Sequence, residues 1–304
     1  MFAEAPLPAP APARRVDRTA RVALLVLGVL YAVAFLAPVI APYSPSQQID
    51  IVAMKNRPPS LAHPFGTDRF SRDVLTRVLY GARLSLSIGT LAVLVAAIVG
   101  TAYGLVAASF GGVVDTVLMR LLDAMLAIPR VLLLIAILAL WNPLPLWMFV
   151  VLLGLTGWFD VSRLVRAEAL TVREREFVLA AQSLGAGRAR IMIRHLLPNV
   201  LAPVIVTTTL GIGNVIVLEA ALSFIGIGVR EPAASWGTMF HEGTEVFAGT
   251  WWAALFPGVA IVVTVLCFNI VGDALRAALD PRQLPRAPRA LVGTRTAAGT
   301  ATVQ

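Results

Sequence analysis

The chain has 304 residues, of which 58% are apolar and only 14% are charged. Soluble globular domains contain about 45–50% apolar and about 25% charged residues, so this composition excludes water as the main solvent and indicates a lipid bilayer. The formal net charge of +8 comes from basic residues that are spread over several segments. A nucleic-acid-binding surface needs such residues clustered with aromatic partners, so no nucleic-acid partner is predicted.

Several apolar runs are long enough to cross a bilayer. A hydrocarbon core about 30 Å thick needs about 20 apolar residues in a helix. Pro129 is expected to kink the third of these helices, and Asn142, Pro143 and Pro145 separate the third from the fourth. The predicted fold class is therefore an all-α integral membrane protein with about six crossings. The predicted transmembrane helices are at residues 22–41, 84–108, 115–140, 146–165, 199–224 and 251–275.

The intervening segments give the predicted domain organisation. Residues 1–20, rich in proline and alanine, form one tail, and residues 42–83 form a loop too charged and too rich in proline for one membrane helix. The other divisions are a first transmembrane helix at 21–41, a transmembrane core at 84–278 that includes a coupling loop at 166–198, and a second tail at 279–304.

The distribution of basic residues predicts the orientation. With the amino terminus inside, the inner segments contain 16 arginines, whereas the outer segments contain 7 lysine and arginine residues. Cytoplasmic loops of membrane proteins carry an excess of these residues. We therefore expect both termini and the 166–198 loop in the cytoplasm, and the 42–83 loop on the other side.

The sequence between the fourth and fifth helices predicts two short helices joined by a glycine turn. Phe177, Ala181 and Leu184 recur at helical spacing and form an apolar stripe on the first helix. Gly185 and Gly187 allow a sharp turn. Pro198 is expected to break the chain before the fifth crossing. Such an element is suited to docking in a groove of another protein; the alternative is a solvated loop on the lipid headgroups.

On the second short helix, Arg190 and Arg194 are expected on one face, and Ile193 and Leu197 on another. Apolar side chains would then set the affinity for a partner, and the arginines would set its orientation.

Four charged residues lie within or beside the predicted crossings. Glu219 either faces a transport pathway or pairs with an arginine of a neighbouring helix. Asp160 and Arg163 are three residues apart and are expected to neutralise each other. Arg130 either reaches the membrane surface or finds a carboxylate such as Asp123 or Asp273.

The sequence excludes several kinds of chemistry. Cys267 is the only cysteine, and the three histidines are scattered over loops on opposite sides of the predicted membrane, so no metal site is expected. The phosphate-binding pattern G-x-x-x-x-G-K-[ST] does not occur, so this chain is not an ATPase. An ion-coupled transporter is disfavoured because no internal symmetry is found. An intramembrane hydrolase, with a nucleophile such as Ser223, lacks a histidine within a crossing.

The cytoplasmic segment resembles a known motif. Leu179-Ala180-Ala181-x3-Gly185, followed by His195-x-Leu197-Pro198, is similar to the EAA motif of ABC-importer permeases, whose coupling helix seats in the ATPase subunit. Leu179 stands where that motif has its leading glutamate. The resemblance implies an ATPase-coupling role for a set of ten residues. These are Ala180, Ala181, Gly185, Ala186, Gly187, Arg190, Arg194, His195, Leu197 and Pro198.

Three further stretches resemble the dipeptide, oligopeptide and nickel subfamily, in its second-permease branch. They are Phe65-Gly-Thr-Asp-Arg-Phe-Ser-Arg-Asp-Val-Leu-Thr-Arg with Gly81-Ala-Arg-Leu-Ser-Leu; Ala221-Leu-Ser-Phe-Ile-Gly-Ile-Gly with Ser235-Trp-Gly; and Leu255-Phe-Pro-Gly, Phe268-Asn-x-x-Gly-Asp-x-Leu-Arg and Leu279-Asp-Pro-Arg. Ser71 replaces the usual glycine before Arg72.

This resemblance implies a type I ABC-importer permease in a bacterial cell membrane. The implied partners are a second homologous permease, two ATPase subunits or one fused ATPase, and an extracytoplasmic substrate-binding protein. ATP and magnesium would be bound by the ATPases, and this chain would hold no cofactor. The implied substrate is a di- or oligopeptide, with nickel or another small solute as the alternative.

Overall fold

The computed structural model describes residues 18–141, 144–230, 232–246 and 249–279. The predicted tails, except for their residues 18–20 and 279, lie outside the described residues, as do Asn142 and Pro143. Within the described ranges every regular element is a helix, which confirms the predicted all-α fold class.

The described residues form eleven α-helices and one π-helical segment. They are α1 Arg18–Ile40, α2 Val74–Phe110, α3 Gly112–Leu126, α4 Arg130–Leu140, α5 Leu146–Leu155, α6 Trp158–Arg173, α7 Glu176–Ser183, α8 Arg188–Ile191, the π segment Met192–Leu196, α9 Leu197–Phe224, α10 Trp236–Thr244 and α11 Trp251–Leu279.

The described helices supply four to six candidate membrane crossings by length and composition. Four single helices qualify: α1, α2, the continuous helix Arg188–Phe224 that contains α9, and α11. The α3–α4 pair is bent by 72° and the α5–α6 pair by 40°, and each pair qualifies when taken as one span. The predicted kink at Pro129 is thus a full break, because α3 ends at Leu126 and α4 starts after the proline.

Several predicted boundaries are wrong. The second helix begins at Val74, ten residues before the predicted position 84, because Asp73 caps its amino terminus by accepting a hydrogen bond from the Thr76 backbone N–H. The fourth crossing continues in α6 to Arg173 rather than ending at 165, because the apolar face of α6 stays buried beyond the charged residues. A short helix, α10, lies where no helix was predicted; a capping box at Ser235 and Thr238 starts it.

The predicted break at Pro198 is also wrong. The second short helix of the loop continues without interruption into the next crossing through the π segment. Proline lacks a backbone N–H and its ring crowds the preceding turn. A wider turn accommodates this, since the Leu197 N–H bonds to the Met192 carbonyl five residues back and the Asn199 side chain donates to the His195 carbonyl at 2.7 Å.

Helix α2 is the centre of the bundle and packs against α1, α5, α6 and α9. Small residues let it approach α6 closely: a side chain at Gly104 would lie 2.5 Å from the Ser162 carbonyl oxygen, and one at Gly100 would lie 2.7 Å from the Trp158 carbonyl oxygen. Pairs of small residues four apart are a recurrent device for close helix packing in membranes, where lipid provides no hydrophobic drive between helices.

We expect Gly104→Val to lower the thermal unfolding midpoint of the purified chain in detergent, because the new side chain forces α2 and α6 apart. Overpacking of this kind costs about 1–3 kcal/mol. The matched control is Gly28→Val in α1, where nothing lies within 4 Å of an added side chain. An equal loss in both variants would contradict close α2–α6 packing.

Candidate functional site

The predicted glycine turn has a defined geometry. Gly185 has a φ of +83°. Its N–H bonds to the Gln182 carbonyl at 2.9 Å, and the Ala186 N–H bonds to the Ala181 carbonyl at 3.0 Å. These two bonds form a Schellman motif, which ends α7 and satisfies its terminal carbonyls. The prediction of a short helix followed by a glycine turn is therefore confirmed.

One edge of α7 is anchored in the bundle. Val178 is fully buried, and it belongs to the same apolar cluster as Val172 of α6, Ile191 of α8 and Val200 of α9. The cluster continues along α2 through Leu105. Helix α7 therefore shares one apolar core with residues of α2, α6, α8 and α9.

Exposed apolar side chains flank the buried edge of α7 on both sides. Leu184, at the end of the helix, is 89% exposed, and Phe177 and Leu179 are each exposed by nearly half. Leu179 replaces the glutamate of the family motif, so α7 is more apolar here than that motif implies. Exposed apolar side chains on a charged loop are typical of a protein-binding surface. We call Phe177, Leu179 and Leu184 the α7 surface.

The other residues predicted for coupling lie around the turn and the following helix. Ala180, Gly185, Gly187, Arg190, Arg194 and Pro198 are exposed, whereas Ala181, Ala186, His195 and Leu197 are partly buried. The His195 and Phe177 rings lie 6.1 Å apart between centroids, so the π segment also contacts α7.

Glu219 is completely buried within the described chain. It accepts hydrogen bonds from the Ser223 hydroxyl at 2.8 Å and the Ser85 hydroxyl at 3.3 Å. Ser85 Oγ in turn accepts from the Trp236 N–H at 3.2 Å. The alternative of an arginine partner is wrong, because hydroxyl groups satisfy this carboxyl. It links α2, α9 and α10, and its role in a pathway stays a prediction.

Two predicted ion-pair assignments are wrong. Arg163 pairs with Asp123 of α3 at 2.5 Å rather than with Asp160, because α3 lies alongside α6, where Asp115 of α3 also pairs with Arg166. Arg130 reaches neither suggested carboxylate and donates to the Leu153 carbonyl at 2.8 Å and the Thr156 hydroxyl at 3.2 Å. The bend between α5 and α6 leaves these two oxygens available to Arg130. Residue spacing along one straight helix does not reveal such a bend.

A buried charge network, which the sequence did not predict, lies at the other end of the bundle. Arg77 donates to Asp68 and to Glu242, each at 2.7 Å. Arg72 donates to the same two carboxylates at 2.6 Å. All four side chains are buried. Such a group is strongly destabilised when one member is removed, because a buried charge is left unpaired. We call these residues the outer charge network, after the side of the membrane on which the sequence predicts this loop; it joins the 42–73 loop, α2 and α10.

Ser71, in place of the usual glycine, takes the left-handed backbone conformation that glycine favours, with a φ of +57°. Its carbonyl accepts from the Ile49 N–H, and its hydroxyl accepts from the Asp50 N–H, both at 3.2 Å. The tight turn is therefore kept, and the serine side chain adds a bond that glycine could not make.

We expect Gly185→Ala to loosen the turn, because a side chain at positive φ costs about 1–2 kcal/mol. Hydrogen exchange of the Gln182–Ala186 amides should accelerate about 5- to 30-fold, the factor that such an energy gives. The matched control is Gly187→Ala, since Gly187 has an extended backbone with φ of −68° and nothing lies within 4 Å of the added carbon. Unchanged exchange in Gly185→Ala would contradict the motif.

Two known protein families match parts of this chain. Residues 100–284 match the family described as the binding-protein-dependent transport system inner membrane component. Residues 15–59 match the N-terminal transmembrane domain of oligopeptide transport permease C. The first match includes α7, the glycine turn and the π segment, and the second includes α1 and part of the 42–73 loop.

Curated relatives cover most of the chain. A putative peptide transport system permease protein of Brucella suis is 44% identical over 267 residues, which is 87% of this chain and 88% of the relative. The dipeptide transport system permease protein DppC of Bacillus subtilis is 39% identical over 88% of this chain and 82% of its own length. The oligopeptide transport system permease protein OppC of the same organism is 36% identical over 88% and 87%. The resemblance drawn from the motifs is confirmed: the chain belongs to the family of binding-protein-dependent transport system inner membrane components, the permeases of ABC importers, and has their type I fold.

Proposed function

We propose that this permease carries di- or oligopeptides and is driven through the α7 surface by separate ATPase subunits. The observation that supports the proposal most directly is the combination found in α7. One edge is buried in the core of the bundle at Val178, and Leu184 and Phe177 beside it are exposed to solvent. A helix such as α7, with one edge packed in the bundle and exposed apolar side chains available to a partner, is suited to transmitting movement between proteins.

The exposed side chains of α7 support a set of partner proteins for this chain. Two ATPase subunits, or one fused ATPase, would bind ATP and magnesium and hold the α7 surface in a groove, while the exposed Arg190 and Arg194 orient the contact. A second homologous permease would complete the pathway, and an extracytoplasmic binding protein would deliver the peptide to the side of the outer charge network. Both termini would then be cytoplasmic, in a bacterial inner membrane.

In the transport cycle, closure of the ATPase pair would pull on α7. Because Val178 shares a core with residues of α2, α6 and α9, these helices would tilt together and change the side to which the pathway opens. The π segment lies between α8 and α9. Such segments are frequent at functional positions in helices, so we place the flexing point there.

The peptide substrate rests on the relatives, whose names describe peptide, dipeptide and oligopeptide permeases. Nickel and other small solutes remain the alternative from the wider subfamily. An ion-coupled transporter acting alone is disfavoured, because the family is defined by dependence on a binding protein.

We expect the double variant Phe177→Ala, Leu184→Ala to co-purify with its ATPase subunits about tenfold less well or worse. Apolar anchors at an interface contribute more than about 1 kcal/mol each when truncated. The matched control is Val52→Ala, which removes an apolar side chain that is 91% exposed in the outer loop. Equal ATPase recovery from the double variant and the control would contradict coupling through α7.

The same preparations test the substrate. Proteoliposomes that contain the whole transporter and its binding protein should take up a labelled dipeptide only when ATP is supplied, and the double variant should reduce that uptake in parallel with ATPase recovery. Uptake by this chain alone, driven by a proton or sodium gradient, would contradict the proposed function. Uptake of nickel without uptake of peptide would contradict the substrate.

A further inference from the structure

A small polar cavity lies between the glycine turn and the bundle. Its volume is about 190 Å³, and its polar lining consists of Ser109, Arg173, Gln182 and Arg188. Ala186, Ile191 and Leu196 form the apolar part of the wall. We call it the Ser109 cavity. Pockets for whole organic ligands measure about 300–1,000 Å³, so this cavity suits a single small group.

Ser109 is the first indication of a ligand. The side chain is at the carboxyl end of α2 and is only 8% exposed, and its hydroxyl has no hydrogen-bond partner among the described residues. A buried hydroxyl without a partner costs about 1–3 kcal/mol. Serine in a helix commonly relieves this cost by donating to a carbonyl one turn back, and Ser109 does not. A group inside the cavity that accepts a hydrogen bond would satisfy it.

The two arginines are the second indication. Arg173 donates from Nη1 to the Ala108 carbonyl at 2.9 Å, and Arg188 lies over the Phe110 ring at 5.8 Å from its centroid. Neither forms a salt bridge within the described part of the chain, although six carboxylates there do. Both guanidinium groups therefore keep donors for a further acceptor, and no carboxylate lines the cavity.

The neighbouring backbone carries partial charges of both signs. The helix that runs to Phe224 begins at Arg188, and no side chain caps its amino terminus at Gly187. An uncapped helix start carries a partial positive charge. The carboxyl ends of α2, α6 and α7 also lie beside the cavity and carry the opposite partial charge, so the full charges of the two arginines make its surroundings favour an anion.

We propose that the Ser109 cavity binds a phosphate-type anion, supplied either as inorganic phosphate or by the headgroup of an anionic lipid. Arginine recognises phosphate through paired N–H donors, and a hydroxyl and an amide complete the set. The bound anion would join the end of α2 and the end of α6 to α7 and the start of α8. It would therefore stiffen the segment that carries the α7 surface. The proposal does not depend on which solute the transporter carries.

The test uses the full-length chain, freed of lipid in detergent. Its thermal unfolding midpoint is followed by tryptophan fluorescence during titration with inorganic phosphate at constant ionic strength. Phosphate should raise the midpoint with saturation, since a ligand that binds only the folded state stabilises it. Arg188→Gln should weaken the apparent affinity about tenfold or more, as expected for the loss of one charge-assisted bond.

A second variant separates binding from structure. Ser109→Ala should raise the midpoint in the absence of phosphate, because an unsatisfied hydroxyl is removed, and should reduce the gain on phosphate addition. The matched control is Arg175→Gln, because Arg175 is an exposed arginine of the same loop that does not line the cavity. Its titration should match that of the wild type.

The source of the anion is decided by comparing media. A saturable response to inorganic phosphate in detergent assigns a free anion. Stabilisation in nanodiscs of phosphatidylglycerol but not phosphatidylcholine, lost in Arg188→Gln, assigns a lipid headgroup. Either result supports the proposal. No saturable response in either medium would overturn it, as would equal weakening in Arg175→Gln. An equal response to acetate would also overturn it, because the cavity would then be a carboxylate site.

Discussion

Coupling of α7 to the membrane-spanning helices depends on the burial of Val178 in the apolar cluster that also contains Ile191, Leu196 and Val200. This contact makes α7 part of the helical bundle rather than an appendage on a loop. Without it, a partner that held Leu184 could move only a flexible segment, and the crossings would stay where they are. With it, the same partner holds the ends of α6, α9 and, through Leu105, α2. One apolar cluster thus connects the exposed surface to the membrane-spanning helices.

At the opposite end of the bundle, buried charges add to the apolar packing of Val74, Met239 and Trp252. Asp68, Arg72, Arg77 and Glu242 form the outer charge network, and Trp252 adds a bond from its indole N–H to the Thr67 carbonyl at 3.0 Å. The loop, α10 and the starts of α2 and α11 are therefore joined into one layer. If ATPases act on α7 as proposed, this layer would hold one end of the bundle while the helices pivot.

Sequence reasoning predicted the all-α class with several membrane-crossing helices, the α7 helix and its glycine turn, because each leaves a local signal: run length, helical spacing and paired glycines. It failed where long-range contacts decide. The partner of Arg163 depends on how α3 lies beside α6, and the role of Glu242 depends on folding α10 against residues about 170 positions earlier. The helix break predicted at Pro198 is absent, because the wider turn of the π segment accommodates this proline, a residue that usually ends a helix. The Ser109 cavity draws its walls from four separate helices, so no local pattern could reveal it.

The most direct measurement of the central claim is the accessibility of the α7 surface on each side of the membrane. In a Cys267→Ala background, Leu184→Cys and Val52→Cys are labelled with a membrane-impermeant maleimide. We expect Leu184→Cys to react only in inside-out vesicles and to be protected there when the ATPase subunits are bound. Val52→Cys should react only in intact right-side-out preparations. Reaction of Leu184→Cys from the outside, or no protection by the ATPases, would contradict it.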